Sequence, residues 1–290
     1  RKKLLQPQRS LHQRSLFGEI ERPEHGDHSV IHDWAARPVP VEDDEKIRLS
    51  ATSAEDFLQC PLKYKFGRVM RIPPGPQAAL TFGNLMHQSV RHYFELRRQG
   101  LPSVPEMESF YLSGWRNAGF DDDYQEDSYK KAGLEQLRGF VAAHQGIVID
   151  PQKVRMEQQF SLDFGDLKLE GRIDQVNEIE LKGGVAHELI DYKTGRPRTQ
   201  KDADQSLQLA VYALAARELH GAIPARLTFY NLTDNRAVSS VRTEEKLRES
   251  LDELRAVARE IRDGAFEANP GFHCRWCSFV SICPAHEQGG

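Results

Sequence analysis

Three residues on two neighbouring segments carry the chemistry that is easiest to read. Asp191 and Lys193 stand two apart in IDYK, and Asp174 ends GRID 17 residues before Asp191. Residues two apart on a strand face the same side, so Asp191 and Lys193 project together while Tyr192 turns away. A hairpin in register between the two segments would bring two carboxylates and one ammonium together. Carboxylates so placed repel one another unless a cation lies between them, and oxygen donors suit Mg²⁺ or Mn²⁺. Phosphodiester hydrolysis uses such a metal to offset phosphate charge and activate a water, with a fixed cation beside the reacting groups. Lys193 is of the right type for that cation. The plainer alternative for Asp-x-Lys alone is a solvated surface pair.

Other polar residues fall where they would join this cleft. His87 lies in FGNLMH, one helical turn after Gly83, whose small size lets another element approach. A structural role is the alternative for His87. Glu157, in VRMEQQF, is placed to reach the cleft or to lie exposed. Gln208 and Tyr212 are four apart on one helical face, where they could orient the lysine or hold a nucleic-acid backbone; core packing is the alternative for Tyr212. Arg196 and Arg198 belong to a short basic loop directly after the Asp-x-Lys strand, a place for phosphate contacts or simply a solvated turn.

The four cysteines form a second constellation. Cys274, Cys277 and Cys283 cluster at the C-terminus, with Cys60 far upstream. All four can serve one thiolate site, for which zinc and an iron–sulfur cluster suit equally by spacing. His273 and His286 flank the trio and keep zinc open. Buried, unligated cysteines are the remaining alternative.

These residues need elements to position them. Ser53 and Asp56 read as a helix N-cap pair ahead of FLQCPLKYKFGRV. A helix follows over about 79–98, with apolar residues at Leu80, Leu85, Met86, Val90, Tyr93 and Phe94 and a stop at Gly100. Further helices are expected near 106–118 and 125–145. Three strands then run through VRMEQQFSLDF, LKLEGRIDQVNEIEL and GVAHELIDYKTG, with turns at Phe164–Asp166 and Gly183–Gly184. A helix over about 201–220, the strand RLTFYNL and a helix over about 243–263 complete an α/β pattern, closed by a loop-rich cysteine cap. Residues 1–47, rich in Gln, Arg, His and Pro, read as a linker or tail, and residues 48–290 as the domain.

Composition narrows the function class. The 290 residues carry a formal net charge of −4 and 28% charged residues. That balance excludes a free-standing protein that coats nucleic acid by charge alone, but leaves room for an enzyme with a local basic groove. No apolar run is long enough to span a membrane, and the basic N-terminus lacks the apolar core of a secretory signal. A cytoplasmic, reducing setting follows, which disfavours disulfides. The chain begins at Arg and reads as a piece of something longer.

The ordered set of Gly83 to His87, Gly171 to Asp174, Ile190 to Pro197 and Gln208 to Tyr212 resembles the RecB-type branch of the PD-(D/E)XK nuclease superfamily over about Ser50 to His286. The resemblance implies a restriction-endonuclease-like fold, a mixed central sheet flanked by helices, with an N-terminal helical part and a C-terminal cysteine-rich cap. It implies Mg²⁺ or Mn²⁺ held by His87, Asp174, Asp191 and the carbonyl of Tyr192, with Lys193 catalytic. One cysteine before the nuclease motifs and three after them resemble the iron-staple nucleases, which implies a structural [4Fe–4S] cluster on Cys60, Cys274, Cys277 and Cys283. The expected function is a metal-dependent deoxyribonuclease acting on single-stranded DNA or unwound ends in repair or recombination, fused to an upstream superfamily 1 helicase, no ATP-binding loop being present here. The competing reading is a catalytically silent nuclease-fold module that grips DNA, stabilised by a cluster or by zinc.

Overall fold

The computed structural model describes Trp34, residues 46–147 and residues 150–285. Nearly all of the expected tail, and His286, lie outside them. A six-stranded mixed sheet is sandwiched between two helical layers. In chain order the elements are β1 (Ile47–Leu49), α1 (Ala51–Gln59), α2 (Pro61–Tyr64), α3 (Ala78–Arg97), α4 (Val104–Gly114), α5 (Asp123–Gln145), β2 (Val154–Asp163), β3 (Leu167–Leu181), β4 (Gly184–Lys193), α6 (Gln200–Asp204), α7 (Leu207–His220), β5 (Arg226–Asn231), β6 (Arg236–Ser240) and α8 (Glu244–Arg262).

β3 is the organising strand. Along one edge it pairs antiparallel with β2, from Val154–Asn177 to Asp163–Lys168. Its other edge is shared: β1 runs parallel to Leu167–Leu169, and β4 runs antiparallel to Gln175–Leu181. Between those two partners, Glu170 to Asp174 has no strand beside it on that edge among the described residues. β5 continues the sheet parallel to β4, and β6 closes it antiparallel to β5.

One face of the sheet packs Leu167, Leu169, Leu189 and Phe229 against α1, α7 and α8. The other packs Ile190, Tyr192 and Tyr230 against α3, α4 and α5. A strand normally keeps one set of alternate residues on one face. β2 and β3 break that rule at the same level. Val154 and Met156 belong to the α3–α5 core, yet Phe160 and Leu162, of the same parity, belong to the α7 core. In β3, Ile173 and Val176 share one core despite their odd separation. Between Met156 and Phe160, Glu157 has φ of +57°, a left-handed conformation that non-glycine residues seldom adopt.

Several boundaries differ from the sequence reading. The first helix is capped by Ser50, not Ser53: the Ser50 hydroxyl accepts from the Ser53 N–H while the Ser53 hydroxyl accepts from the Ser50 N–H. Ser53 is therefore the third residue of the helix, closing a capping box. The segment expected as one helix over 201–220 is two. α6 ends at Asp204, and Ser206 opens α7 by accepting from the Leu209 N–H. Leu80, placed on the apolar stripe of α3, is exposed and faces a cleft. The short strands β1 and β6 escaped the reading because each is too brief for alternation to register.

α3 is anchored where it begins. The Ala78 N–H donates to the Gly119 carbonyl at 3.0 Å. Gly119 has φ of +85°, and a Cβ built there would lie 2.5 Å from the Gln77 nitrogen. Gly119→Ala combines left-handed strain with a backbone clash, and we expect it to cost about 1–3 kcal/mol. The check is the denaturant midpoint of the variant against the parent.

Candidate active site

The departure of β4 from β3 creates the site. The ladder's last pair is Gln175–Ile190, so Asp174 and Asp191 are the next opposed positions, just beyond it. Two backbone groups that a longer ladder would have occupied find side-chain partners instead. The Tyr192 N–H donates to Asp174 Oδ2 at 3.0 Å, and the Tyr212 hydroxyl lies 3.0 Å from the Arg172 carbonyl. On the other edge of β3, the register pairing Met156 with Gln175 and Gln158 with Ile173 leaves Glu157 opposite Asp174. Three carboxylates thus stand in a row across three strands.

α3 lies over this row and lowers His87 onto it. His87 Nδ1 is 3.2 Å from Asp174 Oδ2. Where the small Gly83 lies, a Cβ would sit 3.5 Å from Thr194 Oγ1, an ordinary contact, so the close neighbour is the turn leaving β4. Among the described residues, His87, Glu157 and Asp174 each offer a donor atom within 4.8 Å of the others. Arg172 balances Glu157 through a 2.5 Å ion pair.

Asp191 is the most enclosed of the acids. Its Oδ1 accepts from Gln208 Nε2 at 2.6 Å and lies 3.2 Å from the Tyr212 hydroxyl. Its buried Oδ2 pairs with Lys193 Nζ at 2.7 Å. Gln208 bridges the pair, accepting from Lys193 Nζ at 2.8 Å. Gln208 and Tyr212 therefore orient both catalytic-type side chains. Tyr192 turns its ring to the opposite face, where its hydroxyl donates to Gln175 at 2.6 Å.

Burial pushes the Asp191 carboxyl above its ordinary range; Lys193 opposes the shift and Asp174 adds to it. Burial likewise raises Glu157, against Arg172, and raises the Tyr212 hydroxyl well beyond the ordinary phenol, with the two aspartates adding to it. His87 is a contest. Burial disfavours its charged form, but the Asp174 hydrogen bond and the charges of Asp174 and Asp191 outweigh burial and raise it above the ordinary value. A buried aspartate paired with a lysine, beside a histidine and two further acids, is a donor set that fits a hard divalent cation.

The cleft over these residues holds about 650 Å³ and is walled by both aspartates, His87, Glu157, Lys193, Gln208 and Tyr212. Arg196 and Arg198 are not in its wall. Arg196 reaches Asp202 at 3.4 Å, and the Arg198 backbone is pinned by the Asn231 side chain at 2.7 Å and 3.2 Å. Sequence reasoning missed Arg172, Arg91, His92 and Phe110, which do line the cleft. It also missed Glu55 of α1, whose carboxyl is within electrostatic reach of Lys193, Arg198 and Asp191. Arg172 stands two residues before Asp174 and lines the same cleft, so the alternation that joins Asp191 to Lys193 could have found it.

A profile of the PD-(D/E)XK nuclease superfamily matches residues 48–284, most of the chain and all of the site. The chain belongs to the PD-(D/E)XK nuclease superfamily. It is similar to an ATP-dependent helicase/deoxyribonuclease subunit of Lachnoclostridium phytofermentans, 37% identical over 107 residues, which are 33% of this chain and 9% of that protein. The chain thus spans a small part of that relative's length. Among solved structures, SSO0001 aligns over 89% of this chain and 94% of its own at TM-score 0.40 and 13% identity. The Vibrio cholerae protein VC1899 aligns over 78% of this chain and 56% of its own at TM-score 0.22 and 13% identity.

This PD-(D/E)XK domain also gathers its four cysteines, as free thiols, around one largely apolar cavity of about 340 Å³. Cys60 ends α1 and Pro61 begins α2, so the chain turns sharply at the thiol. The C-terminal segment docks there through Asn269, whose side chain donates to the Gln59 carbonyl at 3.0 Å and whose N–H lies 3.5 Å from Cys60 Sγ. Phe279 packs edge-on against Phe66 at 5.6 Å. The Gly271 N–H lies 3.4 Å from Cys274 Sγ. Among the described residues, no three of the sulfurs lie within 4.8 Å of one another. His273 also borders the cavity.

In metal-free protein we expect the His87 imidazole to titrate above its ordinary ~6.5. Asp174→Asn should move it downward, because only the Asp191 charge then opposes burial. The raised value means that the His87–Asp174 pair stabilises the fold fully below about pH 6.5 and stops doing so as pH rises through the folded value. An NMR titration of the His87 ring in both proteins checks the direction.

Proposed function

We propose that this domain is a Mg²⁺- or Mn²⁺-dependent deoxyribonuclease that cleaves phosphodiester bonds in single-stranded or unwound DNA. The observation that carries the reading is the buried carboxylate of Asp191. It stands beside Lys193 and near the His87–Glu157–Asp174 set. His87, Asp174, Asp191 and the carbonyl of Tyr192 would hold the metal, and Glu157 is in place to join them. The metal would offset charge on the phosphate and lower the pKa of a bound water. Lys193, fixed by Asp191 and Gln208, presents an ammonium at the reacting phosphate. Gln208 and Tyr212 keep Asp191 in place. Arg172 offers a second cation in the cleft wall.

The same reading takes the four cysteines as a structural [4Fe–4S] site. Four thiols around one cavity suit zinc or a cluster by type, and the order of one cysteine before the nuclease motifs and three after them favours the cluster. Two N–H groups directed at Cys60 and Cys274 suit thiolates in either case. Residues 1–47 would link the domain to an upstream helicase in a cytoplasmic parent protein, which supplies the unwound ends for repair or recombination.

The test is Mn²⁺-dependent degradation of end-labelled single-stranded DNA, with Asp191→Ala as control. Degradation that requires the metal and Asp191 supports the proposal; equal activity in the control overturns it. Lys193→Ala should lower the rate by about 10²- to 10³-fold while Mn²⁺ binding, followed calorimetrically, stays near the parent's. Cys60→Ser should remove iron and acid-labile sulfide from anaerobically purified protein. It should also expose the segment after Asn269 to protease, since site formation and folding are linked.

A further inference from the structure

The cleft is longer than the metal-ligand row needs. It follows one stripe of α3 through Gly83, His87, Arg91 and Glu95. About twelve residues at about 1.5 Å each make a floor of roughly 18 Å, enough for more than one nucleotide. Its volume of about 650 Å³ is on the scale of small-ligand clefts. At the end away from Asp191, His92 and Phe110 stack at 4.0 Å between centroids and 14° between planes. Both rings line the cleft and also a shallower outer groove bounded by Leu96, Pro105 and Ser113. The stacked pair is therefore a flat aromatic ridge between the two. Arg91 stands next to it, ion-paired with Glu95 at 2.8 Å and 52% exposed at its side chain.

We infer that the Phe110–His92 ridge is a nucleobase platform. It stacks a base of single-stranded DNA beyond the scissile phosphate, with Arg91 beside the strand. This deepens the nuclease reading and rests on it for the position of the cut. An aromatic face accepts any base, because every base has a π-face, so the platform confers single-strand preference rather than sequence preference. Neither ring takes part in the carboxylate network, which makes Phe110 a substrate-positioning residue.

The experiment measures fluorescence anisotropy of a labelled oligothymidylate in the Lys193→Ala background with Ca²⁺. Binding is then read without cleavage, and a failed nuclease reading does not disguise a failed platform. Phe110→Ala should weaken binding by about 5- to 150-fold, the range for loss of one base–aromatic stack. Phe110→Trp should keep it within about 2-fold. An oligothymidylate with one abasic position, moved along the strand, should bind the parent more weakly at one register and cost Phe110→Ala nothing further there. Thermal melts of both variants separate lost contact from lost fold. Unchanged affinity in a folded Phe110→Ala, or an equal abasic penalty in variant and parent, overturns the inference.

Discussion

The structure depends on holding Asp174 and Asp191 at opposed positions on adjoining strands, largely removed from water. Two like charges so placed are unfavourable unless compensated, and the surrounding elements supply the compensation from separate directions. α3 brings His87 to Asp174, the backbone of β4 brings the Tyr192 N–H, β4 itself brings Lys193 to Asp191, and α7 brings Gln208 and Tyr212. The network balances both charges, yet a third carboxylate, Glu157, stands in the same row. That crowding of acids is a demand for a cation.

The sheet is built to tolerate this demand. A regular ladder through Asp174 and Asp191 would have used the backbone groups that now serve the side chains. β3 has β1 at one end and β4 at the other of the same edge, and the interval between them is where the site opens. The matched change of face in β2 and β3, with Glu157 in a left-handed conformation, turns a third carboxylate to the same row. Such strain costs about 1–3 kcal/mol and persists where the surrounding packing enforces it; here two long strands, paired at three positions before Glu157 and six after it, do so.

The cysteine cavity solves a different problem. The C-terminal segment after α8 has only brief helical turns of its own among the described residues and a small apolar cluster made with Leu62 and Phe66. Its contacts with the turn at Cys60 join positions 209 residues apart. A ligand bridging four thiols across that distance would restrict the unfolded chain far more than a local contact does. The cap also touches the start of the helix that carries His87: Gln77, which precedes α3, contacts Ser278.

Local spacing determined a good deal by itself. The two-residue step from Asp191 to Lys193, the hairpin from GRID to IDYK, the four-residue step from Gln208 to Tyr212 and the alternation of Ile190 and Tyr192 in β4 all act within one element or between neighbours. Short-range geometry is enough for them. The same holds for the superfamily, whose motifs stand in order along the chain. Only the tertiary structure decided the rest. The side Glu157 takes depends on a kink that reverses the strand's parity. Leu80 lies on the cleft with Gly83 and His87 rather than in the core with Phe82 and Met86. Arg172, Arg91, His92 and Phe110 meet in one wall although they come from β3, α3 and α4. Arg196 and Arg198 follow the active strand in sequence but are drawn aside by Asp202 and Asn231. Periodicity reports which residues share a face, whereas the meeting of faces is set by long-range packing, which no local spacing encodes.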